Sequence, residues 1–169
     1  MNKKHTLELR GDREIVFTRA FAAPCQLVWD AYTDCKHLIH WWGPAGWELT
    51  HCELELRVGG TWHYCMAGTY EGSYMESWGL GTYVELDGPH RLVYSDAFSD
   101  KDGNVNPDMP ESLNTITFEA VDGGTMMRLS TLCGSAEARQ ELIAMNVEQG
   151  VSETWMRLDA YLPTMSALE

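Results

Sequence analysis

The sequence predicts an α+β protein in which one antiparallel sheet of short strands curls around a long C-terminal helix. From Ser135 to Leu162 apolar or small residues recur three and four apart (Ile143, Val147, Gly150, Val151, Thr154, Leu158, Tyr161, Leu162), giving one stripe on a helix. Between Glu14 and Leu132 the apolar residues mostly fall in short strand-like runs bounded by Gly, Asp and Pro. The turns between those runs, such as Asp122-Gly123-Gly124, are hairpin turns, which join antiparallel neighbours.

Taken in order, residues 1–11 read as a frayed leader. Glu14–Phe21 alternates as a first strand, and Pro24 suits the first position of a short helix whose inner face is Leu27, Val28, Ala31 and Tyr32. Thr33-Asp34 breaks it and caps a second short helix, Lys36–Trp42, which Gly43-Pro44 ends. Strands follow at Trp47–Leu56, Thr61–Ala67, Met75–Leu86, Arg91–Phe98, Leu113–Val121 and Thr125–Leu132. Gly79 and Gly81 suggest a bend or bulge in the third of these. Ser135 is the expected cap of the long helix and Pro163 its expected stop. A helix of that length needs a surface to bury its stripe, and the strands supply one. The expected organisation is one domain over residues 1–169, with its core in 14–162 and Leu168-Glu169 given no weight.

The chain has 169 residues, 44% apolar and 22% charged, the composition of a globular protein with a core rather than of a disordered chain. Its net charge of −13 argues against nucleic acid and anionic membrane surfaces as partners. The five cysteines are odd in number and lack a CxxC, so reduced, mostly buried thiols are expected. Neither a signal peptide nor an apolar run of membrane-spanning length is visible, and the expected location is cytoplasmic.

Several fragments carry a resemblance. Phe21-Ala22-Ala23-Pro24 with Val28-Trp29-Asp30-Ala31-Tyr32-Thr33-Asp34, then Trp41-Trp42-Gly43-Pro44, then Glu55-Leu56-Arg57-Val58-Gly59-Gly60-Thr61-Trp62 come in order. Gly81-Thr82-Tyr83-Val84-Glu85-Leu86, Arg91-Leu92-Val93-Tyr94 and the closing Gly150-Val151 through Leu162 complete the series. This set resembles the SRPBCC (START-like, helix-grip) superfamily, and within it the branch named for the activator of the heat-shock-protein-90 ATPase. Two positions depart from the branch: Val151 stands where a Trp is usual, and Glu55 where an Asp is common. The resemblance implies a helix-grip fold, with about seven curved antiparallel strands wrapped around the C-terminal helix and two short helices after the first strand. It also implies a cavity between sheet and helix for an apolar or aromatic molecule.

The candidate cavity residues are Trp41, Trp42, Trp62, Tyr64, Met66, Trp78, Tyr83, Tyr94, Phe118, Thr154 and Leu158. Aromatic walls with a few polar tips suit a flat apolar ligand, although most of these residues could equally fill a core. No metal and no cofactor is expected. His37 and His40 are three apart on a helix, but no carboxylate completes a ligand set, and His63 with Cys65 falls on the strand face opposite Trp62. Asp100–Asn106 starts like a calcium loop but carries its glycine at position four rather than six. Arg57 is expected to tie its hairpin to a neighbouring acid. Glu85 and Asp96 could serve as a general base only if desolvated beside a cavity.

Three functions compete. The first is a binding protein for a small apolar molecule, acting as monomer or homodimer. The second is a partner of the heat-shock-protein-90 chaperone, without the extra N-terminal domain expected of the eukaryotic activator. The third is a cyclase or hydrolase using Glu85, Asp96 or His40. The chain is more readily a binding protein than an enzyme.

Overall fold

The computed structural model describes residues 4–166, so Leu168-Glu169 lies outside the described residues. Eight strands form one antiparallel sheet: β1 (His5–Arg10), β2 (Glu14–Phe21), β3 (Trp47–Leu54), β4 (Thr61–Tyr70), β5 (Ser73–Asp87), β6 (Arg91–Ser99), β7 (Ser112–Val121) and β8 (Gly124–Cys133). Their order is β1-β2-β8-β7-β6-β5-β4-β3. Helices α1 (Cys25–Tyr32) and α2 (Cys35–Trp41) follow β2, and α3 (Ala136–Ala144) and α4 (Val147–Ser166) close the chain.

The sheet therefore has eight strands rather than about seven, because the expected leader is an edge strand. β1 pairs with β2 from His5↔Arg19 to Arg10↔Glu14. Its apolar side chains Leu7 and Leu9 stay exposed, so ladder bonds rather than burial hold it, and only a short two-leucine alternation announces it. Gly79 and Gly81 make no bulge either. The β4–β5 register runs unbroken from Thr61↔Thr82 to Tyr70↔Ser73, and the irregularity lies between Tyr83 and Glu85 against β6.

The expected helix over Ser135–Leu162 is two helices. Asn146 stands at φ 62 between α3 and α4, and Asn tolerates that left-handed geometry better than most residues. Ser135 caps α3 as expected, its Oγ accepting from Ala138 N at 3.0 Å. Pro163 does not stop α4, which runs to Ser166. Leu162 and Met165 on either side of it are 2% and 4% exposed, so burial of the stripe carries the helix past a residue that removes one backbone bond. Pro24 is the N-cap of α1 rather than its first residue, and Asp34 caps α2, accepting from Lys36 N.

Polar ties fix α4 to the rest. Arg19 of β2 meets Asp159 at 3.2 Å, Trp155 Nε1 donates to Tyr32 Oη of α1 at 2.8 Å, and His37 of α2 reaches Tyr161 Oη at 2.7 Å. Arg157 donates to the carbonyls of Gly43 and Trp47, at 2.8 and 2.7 Å.

The expectation of reduced thiols fails at one pair. Cys35 at the start of α2 and Cys52 in β3 form a disulfide, with Cα atoms 5.8 Å apart, while Cys25, Cys65 and Cys133 are free. Two cysteines 17 apart in sequence, one on a helix and one on a strand, meet only through tertiary structure. Closing a loop of that size stabilises by about 3 kcal/mol in the chain-entropy account. Reduction with dithiothreitol is expected to lower Tm by roughly 5–10 °C, read by calorimetry with and without reductant; a Cys35→Ala/Cys52→Ala variant should show no reductant effect.

Candidate functional site

The stripe on α4 divides in two. Its C-terminal half (Trp155, Leu158, Leu162, Met165) is buried to 4% exposure or less. Its N-terminal half (Val147, Gly150, Val151, Thr154) points the same way but is only half-buried, because it faces a hollow instead of side chains. The hollow lies between the inner face of the sheet, α3, α4 and the end of α2. It has two connected lobes of about 280 and 260 Å³ that share Trp42, Met66, Tyr94, Leu129, Leu142, Val147 and Val151. That size suits a small organic molecule.

Each wall follows from local chemistry. Trp42 is the C-cap of α2, with φ −70 and ψ 127, so the chain leaves the helix there and the indole lies in the wall. Its Nε1 is buried with no hydrogen-bond partner among the described residues. On β4, Trp62, Tyr64 and Met66 alternate onto the inner face. The matching inner positions of β5 are Gly79 and Gly81. A Cβ at Gly79 would come 2.4 Å from Tyr64 Cζ. The glycines thus clear a path for the Tyr64 ring across β5 toward β6.

There Tyr64 Oη donates to both carboxyl oxygens of Asp96, at 3.1 and 3.0 Å. Desolvation in this wall pushes the Asp96 carboxyl up to about 7, against the hydrogen bonds from Tyr64 and from the Ala97 backbone. Burial, and then the Asp96 charge, raises the Tyr64 hydroxyl well above the ordinary tyrosine value. Asn114 of β7 and Thr131 of β8 continue this polar end. Thr131 Oγ1 donates to Asn114 Oδ1 at 2.8 Å, and Asn114 Nδ2 to Ser112 Oγ at 3.1 Å. One lobe is therefore almost wholly apolar, and the other ends on a carboxyl, a phenol, an amide and hydroxyls.

Of the eleven candidates, Trp42, Tyr64, Met66, Tyr94 and Thr154 line the hollow. Trp78 touches its edge, but its ring lies 5.3 Å from His51 and 5.1 Å from His63, the latter with Cys65 on the face opposite Trp62. The remaining five pack in the core: Trp41 donates to Ala31 O, Trp62 backs Tyr64 at 4.3 Å, Phe118 meets Trp29 and Tyr32, and Tyr83 and Leu158 are buried. Sequence reasoning missed Leu129, Leu142, Asn114 and Thr131; it named Asp96 only as a possible base, and Val147 and Val151 only as part of the stripe. Asn114 and Thr131 carried a signal: both are polar at positions where Ile116, Phe118, Met127 and Leu129 set a buried alternation.

The other motifs resolve locally. His37 and His40 both meet Tyr161, the second stacked at 5.1 Å. Asp100 accepts from the backbone of Asp102 and Asn104, which is a turn. Arg57 pairs with Glu55 at 2.9 Å and Glu85 with Arg91 at 3.1 Å, both on the surface. Among the described residues no group of three His, Cys, Asp or Glu could hold a metal ion, and no helix is long and apolar enough to cross a membrane.

A helix clasped by an open antiparallel sheet, with a lined hollow between them, defines the helix-grip class of the SRPBCC superfamily. The family model described as "Activator of Hsp90 ATPase homolog 1-like protein" matches residues 22–163, and the chain belongs to that family. Among solved structures it is similar to protein Ms6760 from Mycobacterium smegmatis (34% identity, 92% of this chain and 94% of that one, TM-score 0.82). It is also similar to a protein from Staphylococcus epidermidis (29%, 95% and 94%, TM-score 0.81) and to one from Arthrobacter aurescens (25%, 94% and 91%, TM-score 0.85). No curated protein matches the chain.

Proposed function

We propose that the protein, one domain throughout, binds a small apolar or aromatic molecule in the hollow between α4 and the sheet. The observation that carries this is the half-buried upper stripe of α4: four small or apolar positions turned inward onto empty space rather than onto partners. Apolar surface facing a void forfeits contacts that a guest would restore. Aromatic walls at Trp42, Tyr64 and Tyr94 suit a flat body, and the Asp96 end suits one polar tip. A role beside a heat-shock-protein-90 ATPase rests on the family's description alone, and no contact in this chain favours it. Among the described residues Asp96 is the one acid lining this wall, its carboxyl raised toward neutrality, and the Ser112 and Thr131 hydroxyls bond to Asn114 rather than to Asp96, so binding is preferred to catalysis.

The test is thermal. A panel of naphthalene- and indole-sized compounds at a hundred times Kd should stabilise the protein by about 2.7 kcal/mol, a Tm rise of several degrees. Val151→Trp should remove that rise, because Val151 borders both lobes and the larger ring occupies the shared space. A panel without any shift, or shifts that survive Val151→Trp, would refute the proposal.

A further inference from the structure

The hollow is electrostatically lopsided. No Lys, Arg or His lines either lobe among the described residues, and the one charged side chain on its wall is Asp96. A carboxylate in a largely desolvated wall is costly unless a cation or several donors meet it. Here the side-chain donor is Tyr64, whose single proton is shared between the two oxygens. A carboxylate offers about four acceptor sites, so capacity remains on the side that faces the cavity. Tyr64 and Tyr94 stand on the same wall, and aromatic rings are a second kind of group that favours a cation.

We propose, resting on the binding function above, that the preferred guests are organic cations: an apolar or aromatic body bearing one protonated amine, seated with its ammonium on Asp96. The amine supplies the donors that Asp96 lacks, and its body fills the apolar lobe. The net charge of −13 favours approach of a cation and opposes an anion. A fatty-acid carboxylate would set two like charges together in the wall.

Four ligands with one body separate these cases: 2-(1-naphthyl)ethylamine, 2-(1-naphthyl)ethanol, 1-naphthylacetone and 1-naphthylacetate, titrated calorimetrically at pH 7. A hydrogen bond to a charged partner is worth about 1.5–3 kcal/mol, so the amine should bind about 10–100-fold more tightly than the alcohol, and the acetate more weakly than either. In Asp96→Asn, which keeps an acceptor for Tyr64, the amine should lose its advantage over the alcohol. Equal or tighter binding of the alcohol or ketone overturns the amine preference and leaves the chamber standing. An amine preference that survives Asp96→Asn also overturns it, by placing the cation on the acidic surface. Failure of all four to bind removes the chamber and the preference together.

Discussion

Trp155→Ala is expected to be the most destabilising single change in this protein. The indole is 1% exposed and sits edge-on to Phe17 and Phe21, with centroids 6.3 and 5.9 Å away. Truncating a buried Trp costs about 3–5 kcal/mol in lost transfer energy and residual cavity. The change also strips Tyr32 Oη of the Nε1–H it accepts at 2.8 Å, adding about 1 kcal/mol or more for a buried hydroxyl. Against a total stability of about 5–15 kcal/mol this is a large share. A Tm fall of roughly 10–20 °C follows for a chain of this size. Trp155→Phe keeps most of the ring and loses only the N–H, so its fall should be less than half as large. Calorimetry on both variants checks this; a drop of under about 3 °C for Trp155→Ala would mean that α4 is not held where the fold places it.

The second large effect is one of pH. Asp96 titrates at about 7 in the folded protein against an ordinary 3.8, with desolvation as the main cause and Glu111 adding negative charge. The folded state thus holds its proton more tightly than the unfolded chain. The stability Asp96 contributes is complete below pH 4 and is lost as pH rises through 7. The full gap corresponds to at most about 4 kcal/mol, and solvent entering the hollow reduces it to on the order of 2–3 kcal/mol. The phenols near Asp96 (Tyr64 of β4, Tyr83 of β5 and Tyr94 of its own strand) are all raised and remain neutral in this window, so they do not mask the effect. Asp96→Asn should therefore be more stable than the parent at pH 8, and the advantage should shrink toward pH 4. Urea denaturation of both proteins from pH 4 to pH 8 checks this; a stability difference that does not change with pH would mean that the carboxyl is solvated rather than walled in.

These residues also show how far the sequence could be read. Strands β2 to β8 announce themselves by alternation and hairpin glycines, and the stripe on α4 by its period, because both are local patterns driven by burial. The edge strand β1 is held by backbone bonds and exposes Leu7 and Leu9, so its alternation is short and carries no burial signal. The break at Asn146 escapes notice because Ile143 and Val147 fall at helical spacing across it, although Ile143 is exposed and its neighbour Leu142 lines the hollow instead. The Cys35–Cys52 bond and the Tyr64–Asp96 contact join residues 17 and 32 apart, and only the folded sheet brings them together. Gly79 was visible as a glycine, but its purpose depends on the ring that crosses it from the neighbouring strand.

The most direct measurement is a crystal structure of the protein grown with a bromonaphthalene, read by the anomalous signal of bromine. Occupancy of the hollow predicts a peak bounded by Trp42, Met66, Tyr94, Leu129 and Val151, with the surrounding backbone unmoved. A map with no bromine there, and Val147 and Val151 closed onto Leu129 in a solid interior, would contradict it.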